Sequence, residues 1–374
     1  MTDPGLRVLH ITAGNLFGGI ERMLLTMAAA QQRDCLHDIA VSFDGRLAQE
    51  LRQAGSPPHL LGAARFRRPD SIWRARRALR RVLALGRHDA VICHAPWSCA
   101  LAGAPVRRAG RPLLMWAHEP PQPGAWPETK VAKIPPDRFI CNSVHTAGAI
   151  ARWLPRIPRD IVHPPVPHAA QASRSERRRL RGELGASDAT IVILLASRLE
   201  EWKGQRVLLL AAQRLEGNAA VWIAGGPQRP SEEPYFEELS RLAAAAGSVQ
   251  VRMLGERNDV PRLMAAADIY CQPNTAPEPF GIAFVEALAA GLPVVTTATG
   301  GALEIIDEQC GVLVPDPSPE AIAGALQRLI DAPALRALLS AAAPEQAHRI
   351  SDPAARLAEI RDLVRAQIER SSAA

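Results

Sequence analysis

An alternation constrains this chain most. Short, largely apolar runs recur at Leu6–Thr12, Asp38–Ser42, Ala90–His94, Pro112–His118 and Arg138–Asn142, with helical patterns between them. A second series follows at Thr190–Ala196, Ala220–Gly226, Val249–Gly255, Asp268–Asn274, Pro293–Thr297 and Gly311–Pro315. Such runs read as buried strands, and strands alternating with helices imply βαβ units in a parallel sheet. Between the two series lies Ile161–Ser173, where Pro164, Pro165 and Pro167 forbid regular helix. The chain therefore divides into two α/β domains, 1–168 and 169–350, which suits its 374 residues. After helices over Pro319–Ile330 and Ala334–Ala342 and a break at Pro344, a last helix is expected over 351–370, with Leu357, Ile360, Leu363 and Val364 as its apolar face.

In parallel sheets, ligand groups collect at the carboxyl ends of strands. In the first half, Gly14, Gly18 and Gly19 follow the first strand and lead into a helix through Ile20, Met23, Leu24 and Met27. Glycines let backbone approach a ligand, and a helix start favours anions, although a plain βα turn has the same pattern. His94, His118 and Ser143 stand at three further strand ends. Ser143 suits the N-cap of a helix over Val144–Trp153. Each histidine is either a satisfied structural residue or a functional one. In the second half, Arg198 and Lys203 flank the start of a helix after the Thr190–Ala196 strand. They either neutralise a diphosphate or pair with Glu200 and Glu201. Glu278-Pro279-Phe280-Gly281 then opens a helix through Phe284 and Leu288 that Gly291 ends. Glu278 lies in the loop and Glu286 in the helix, so the two can meet one elongated ligand or both be solvated.

Glu278-x7-Glu286 with its internal Phe280-Gly281 resembles the signature of the retaining glycosyltransferases of family 4. Arg198-Leu199 with Lys203-Gly204 is similar to that family's Arg-Leu-x-x-x-Lys-Gly, and Gly18-Gly19-Ile20-Glu21 to its Gly-Gly-x-Glu. Ser197 departs from the glycine of many members. The resemblance implies the GT-B arrangement, two Rossmann-like domains facing across a cleft, with the last helix returning to the first domain. It implies sugar transfer, with retained configuration, from a UDP- or GDP-sugar to a hydroxyl of a sugar or lipid-linked acceptor, in cell-surface polysaccharide or glycolipid synthesis. Glu278 then faces the donor sugar and Glu286 the ribose. The amides at Phe280 and Gly281 serve sugar hydroxyls, and Leu254 and Gly255 lie against the base. Gly18 and Gly19 lie over the donor phosphates. A strand-end histidine sits near the scissile bond, with His118 preferred over His94. No Asp-x-Asp stands in a strand-end loop, so no metal or cofactor is expected, and Arg198, Lys203 and helix N-termini stabilise the leaving group. The rivals on the same fold are a nucleotide-sugar epimerase, a phosphorylase, and a non-catalytic nucleotide-sugar or membrane-binding module.

Charge bears on partners. With 44 basic and 38 acidic residues the net charge is +6, which suits phosphate-bearing partners without selecting nucleic acid. Aromatics are only 4%, which speaks against base-stacking platforms, so no nucleic acid is expected. Ala63–Arg87 concentrates Arg65, Arg67, Arg68, Arg74, Arg76, Arg77, Arg80, Arg81 and Arg87 around an apolar face of Ile72, Ala75, Leu79, Val82 and Leu83. This is a solvated helix face or a patch for an anionic membrane or acceptor. Met1–Gly5 shows no basic start leading into an apolar run, so no secretory leader is expected, and no apolar run approaches the roughly 20 residues of a membrane span. Six scattered cysteines without Cys-x-x-Cys spacing suit reduced, buried thiols. The expected location is cytoplasmic, peripheral on the inner face of the membrane.

Overall fold

The computed structural model describes residues 5–30, 34–167, 173–245 and 247–373. Met1–Pro4 and 168–172, the latter where the sequence suggests the domain boundary, lie outside them. The chain separates into two compact units, Met1–Val166 with Ser351–Ala374, and Pro167–Ile350.

The first unit is built on seven strands: β1 Leu6–Thr12, β2 Cys35–Val41, β3 His59–Leu60, β4 Ala90–His94, β5 Leu113–Ala117, β6 Arg138–Cys141 and β7 Arg159–Ile161. They pair in parallel in the order β3-β2-β1-β4-β5-β6-β7. Alternate residues face opposite layers. Leu9, Ile11, Val91, Cys93 and Met115 pack with Ile72, Ala75, Leu79 and Leu83 of helix Pro69–Leu85 and with Leu101 and Val106 of helix Ala95–Arg108. Val8, Ile39, Ile92, Leu114 and Trp116 pack with Met23, Leu24 and Met27 of helix Gly19–Ala29. The same layer takes Leu357, Ile360 and Val364 from helix Pro353–Ala373. Ser351 ties down the approach to that helix: its hydroxyl donates to the Pro164 carbonyl and accepts from the Val166 amide at 3.0 Å.

The second unit carries β8 Ile191–Ala196, β9 Ala219–Ala224, β10 Gln250–Gly255, β11 Ile269–Gln272, β12 Val294–Thr297 and β13 Gly311–Val314. Their parallel order is β10-β9-β8-β11-β12-β13. In both sheets the order reverses beside the unit's first strand, between β1 and β4 and between β8 and β11. Loops diverge there, leaving a crevice at the carboxyl ends.

Several local expectations change. The helix expected to break at Pro344 instead runs unbroken over Pro333–Ser351. Proline there removes one backbone hydrogen bond. Burial of Leu339, Ala343 and Ala347 on either side, and a 2.7 Å bond from the Gln346 amide to the Ile305 carbonyl, hold both arms in line. The basic helix Arg174–Glu183 is not wholly surface charge. Its Arg181 is 2% exposed and donates to the carbonyls of Ser187, Thr190 and Ala266 and to Asp268. All six cysteines are buried and free. No described helix is long and apolar enough to cross a membrane.

Candidate active site

In the second unit the loops after β8 and β11 meet. Gly204, at the end of the turn after β8, has φ +79, and a Cβ there would fall 2.0 Å from the Pro273 carbonyl oxygen just past β11. Only glycine allows that approach. The Thr275 amide donates to the Trp202 carbonyl at 2.9 Å, fastening the same two loops. Lys203 is thereby brought to Glu278, 75 residues away, with Nζ 2.8 Å from Oε2. That oxygen also accepts from Asn274 Nδ2 at 2.9 Å and Gln272 Nε2 at 3.1 Å. Gln272 is set in turn by Tyr270, whose hydroxyl lies 2.9 Å from Gln272 Oε1 and 3.0 Å from the Ala196 carbonyl. A buried carboxylate persists when donors replace lost water, and Glu278, 6% exposed, receives three on one oxygen. None of those hydrogen bonds goes to Oε1.

Around this centre stand the other expected residues. Arg198 is half-exposed and lies 3.1 Å from Glu200 Oε1. Lys203 also sits 3.9 Å over the Trp202 ring. Phe280 is buried, and Gly281 caps helix Ile282–Ala289 with φ +111. A Cβ on Gly281 would come 2.3 Å from the Phe284 ring, so a side chain there would displace the helix start. Glu286 is half-buried within that helix. Burial pushes the Tyr270 phenol well above its ordinary range, and the carboxylates of Glu286 and Glu278 act in the same direction. Both acids therefore lie near Tyr270. Leu254 and Gly255 end β10, where the Gly225 amide donates to the Gly255 carbonyl at 2.8 Å. The arrangement offers cations at one helix start, and a fixed carboxylate beside the backbone amides of another.

In the first unit, Gly18 caps helix Gly19–Ala29, and its amide donates to Glu21 Oε2 at 2.9 Å. Ser143 caps helix Val144–Trp153, accepting from the Thr146 amide at 3.0 Å. His94 and His118 lie in contact, with His94 Nδ1 2.8 Å from His118 Nε2. The line continues from His94 Nε2 to His10 Nδ1 at 2.9 Å and from His10 Nε2 to His37 Nδ1 at 2.9 Å. Burial holds the His118 pKa down to about 3 and that of His37 to about 4, with His10 and His94 well below the usual value. Sequence reasoning missed His10 and His37. Their signal was a histidine at an alternate position of each of two apolar strands.

On the helix Pro69–Leu85 side, Arg65, Arg67, Arg68, Arg74, Arg77, Arg80, Arg81 and Arg87 are exposed, but Arg76 is half-buried. It staples the neighbouring helix through the carbonyls of Ala100 and Leu101, at 3.1 and 3.0 Å. A groove of about 540 Å³ beside it is lined by Trp73, Trp126, Arg80, Arg108 and Lys130.

Comparison with known proteins agrees with both halves. Residues 17–170 match the sequence model described as Glycosyltransferase Family 4, and residues 176–346 that of Glycosyl transferases group 1. A D-inositol 3-phosphate glycosyltransferase of Streptomyces griseus is 30% identical over 303 residues, 70% of this chain and 64% of that protein. One from Xylanimonas cellulosilytica is 34% identical over 197 residues, 52% of this chain and 46% of that one. The chain thus spans between about half and just under two thirds of the length of these curated relatives. The crystal structure of Anabaena HepE in complex with UDP and glucose superposes with a TM-score of 0.85 at 23% identity, covering 96% of this chain and all of that one. That likeness shows the GT-B fold.

Proposed function

This chain belongs to the GT4-type glycosyltransferases, and we propose that it moves a sugar from a nucleoside diphosphate sugar to a hydroxyl acceptor with retained configuration. The observation that carries this reading is the Lys203–Glu278 pair at the β8–β11 switch point, held by Gln272 and Asn274. Departure of a nucleoside diphosphate from the sugar's anomeric carbon puts charge on the diphosphate. Arg198, Lys203 and the start of helix Gln205–Ala212 are suited to stabilise that charge as it develops. No metal ion is assigned a part. Glu278, with one oxygen fully occupied, turns its other oxygen to the sugar hydroxyls, and the Phe280 and Gly281 amides support them. Glu286 holds the ribose, the backbone at Leu254 and Gly255 borders the base, and Gly18 and Gly19 attend the phosphates. His118 serves the acceptor hydroxyl.

The UDP and glucose of the Anabaena structure support a UDP-sugar as first donor to try. The acceptor is proposed to be a sugar or lipid-linked sugar of cell-surface polysaccharide or glycolipid synthesis. The exposed arginines of helix Pro69–Leu85 and the groove with Trp73 and Trp126 support a site on the inner face of an anionic membrane. The test is a panel of UDP- and GDP-sugars assayed for nucleoside diphosphate release, with and without glycolipid extract. Release that requires an acceptor is expected. Donor epimerisation without acceptor, or nucleotide binding with no turnover on any acceptor, would overturn the reading.

A further inference from the structure

The four histidines of the first unit lie on one diagonal of the sheet. In the strand pairing His37 stands opposite Val8, His10 opposite Ile92, and His94 opposite Trp116. Each histidine is therefore one strand across and two residues further toward the carboxyl ends than the one before. Two-residue steps keep all four side chains on the same face. Ring centroids are 5.1, 5.2 and 5.1 Å apart along the line. His10, His94 and His37 are buried, at 0%, 2% and 3% exposure, whereas His118 is half-buried. Trp116 lies alongside, 5.8 Å from His94 and 5.6 Å from His118.

The order of atoms gives the line a direction. Every contact joins Nδ1 of one ring to Nε2 of the next: His37 to His10, His10 to His94, His94 to His118. A neutral imidazole has one N–H and one lone pair. Three unbroken hydrogen bonds therefore require all four rings to carry the proton on the same nitrogen, all on Nδ1 or all on Nε2. The free ends are Nε2 of His37 and Nδ1 of His118. Asp38, next to His37 in sequence, is already engaged by Arg7 at 2.5 Å and His88 at 2.9 Å. It pulls the His10 and His37 values up, but burial dominates and keeps the rings neutral.

We propose that His37, His10, His94 and His118 form a single proton relay, in which a proton accepted at His118 Nδ1 is matched by one released at His37 Nε2. Starting from the all-Nε2–H state, His118 Nδ1 takes a proton and its Nε2 proton passes to His94 Nδ1. The His94 Nε2 proton passes to His10 Nδ1, the His10 Nε2 proton to His37 Nδ1, and the His37 Nε2 proton leaves to water. One proton enters, one leaves, and no ring stays charged inside the sheet; all four rings then hold the proton on Nδ1, and the line resets when His118 Nδ1 gives its proton to the departing diphosphate and water returns one to His37 Nε2. In glycosyl transfer the proton entering is the one the acceptor hydroxyl loses, and this identification and that of the diphosphate alone rest on the proposed function. His37, His10 and His94 are then relay and positioning residues that need not touch any substrate.

The decisive measurement is ¹⁵N-detected histidine NMR of the full chain at pH 7, without substrate. A single shared tautomer across all four rings is expected. In His10→Leu, His37 should take up a tautomer independent of His94 and His118. Mixed tautomers in the native chain, or a charged ring at pH 7, would overturn the relay. His37→Gln keeps a donor and an acceptor at the far end but cannot pass a proton. It should lower kcat about 10-fold with the donor KM unchanged, and its solvent isotope effect should rise. If it matches the native chain in both, the relay does not serve turnover. A native chain with concerted tautomers but no sugar transfer would instead count against the proposed activity and leave the relay standing.

Discussion

The two units share a sheet order and differ in what fills the switch point. Beside β8 and β11 stands an ion pair, Lys203 with Glu278, whose carboxylate also accepts from the Gln272 and Asn274 side-chain amides. Beside β1 and β4 stands a row of imidazoles with no carboxylate in the row, and burial keeps them neutral. The same scaffold therefore makes one switch point charged and the other neutral. The difference arises from whether each buried titratable group has an opposite charge within reach.

The largest expected effect breaks the charged side. Lys203→Ala should reduce turnover about 100-fold or more, as loss of one preorganised stabiliser of developing charge does. It should also destabilise the fold by about 3–5 kcal/mol, because Glu278 is left buried without its cation. A Lys203→Met, Glu278→Gln double variant should recover much of the stability and none of the activity. Near-native turnover in either protein would remove the pair from the mechanism. Arg198→Ala, at a half-exposed position, should lose turnover without the stability cost.

The neutral side breaks with acid. The His37 pKa is about 4 in the folded chain and about 6.5 when unfolded, so the unfolded state binds more protons between these values. The associated stability is complete above pH 6.5 and declines as pH falls toward 4. Between pH 7 and pH 5, His37 alone should cost about 2 kcal/mol. Hydrogen exchange, corrected for its intrinsic pH dependence, should show β1, β2 and β4 losing protection before β8, β9 and β11. Equal loss in both sheets would dissolve the contrast.

A finer test divides the two glutamates. Glu286→Ala should weaken nucleoside diphosphate binding by about 1.5–3 kcal/mol, the value of hydrogen bonds to a charged group. Glu278→Ala should leave that binding nearly unchanged while impairing use of the sugar. Calorimetry with the nucleoside diphosphate alone separates them, and equal damage would contradict the division. The smallest effect per residue concerns charge on the surface of the first unit. Changing Arg74, Arg77 and Arg81 to glutamine should weaken sedimentation with anionic vesicles by about 1 kcal/mol per residue at low salt. Binding indifferent to salt and to the substitutions would leave those arginines as a solvated face.

Most strands were legible because both faces of a central parallel strand are apolar, so the run shows whatever its neighbours are. The two missed strands are short edges: His59–Leu60 is only partly buried, and Arg159–Ile161 carries Arg159 and Asp160. Arg198, Lys203, Glu278 and Glu286 could be singled out because each sits in a short motif at a strand end or helix start. That Lys203 and Glu278 touch could not be read, since the contact depends on the approach of Gly204 to Pro273. The histidine row was hidden for a similar reason. Each member is visible alone, but their alignment depends on strand register, and a shift of one residue would turn a side chain to the opposite face.

The return of helix Pro353–Ala373 to the first unit has a consequence for how the chain is made. Leu357, Ile360 and Val364 seal the layer beneath β1 and β4, so the first unit lacks a wall of its core until the second unit has been synthesised. All the strands of the second unit leave the ribosome before that wall does. Domains usually complete in the order they are translated; here the order is inverted, with the later unit closing first. During that interval the apolar layer of Val8, Ile92 and Leu114 has the cover of helix Gly19–Ala29 but not of the last helix, and the nascent first half stays incompletely closed until that helix arrives.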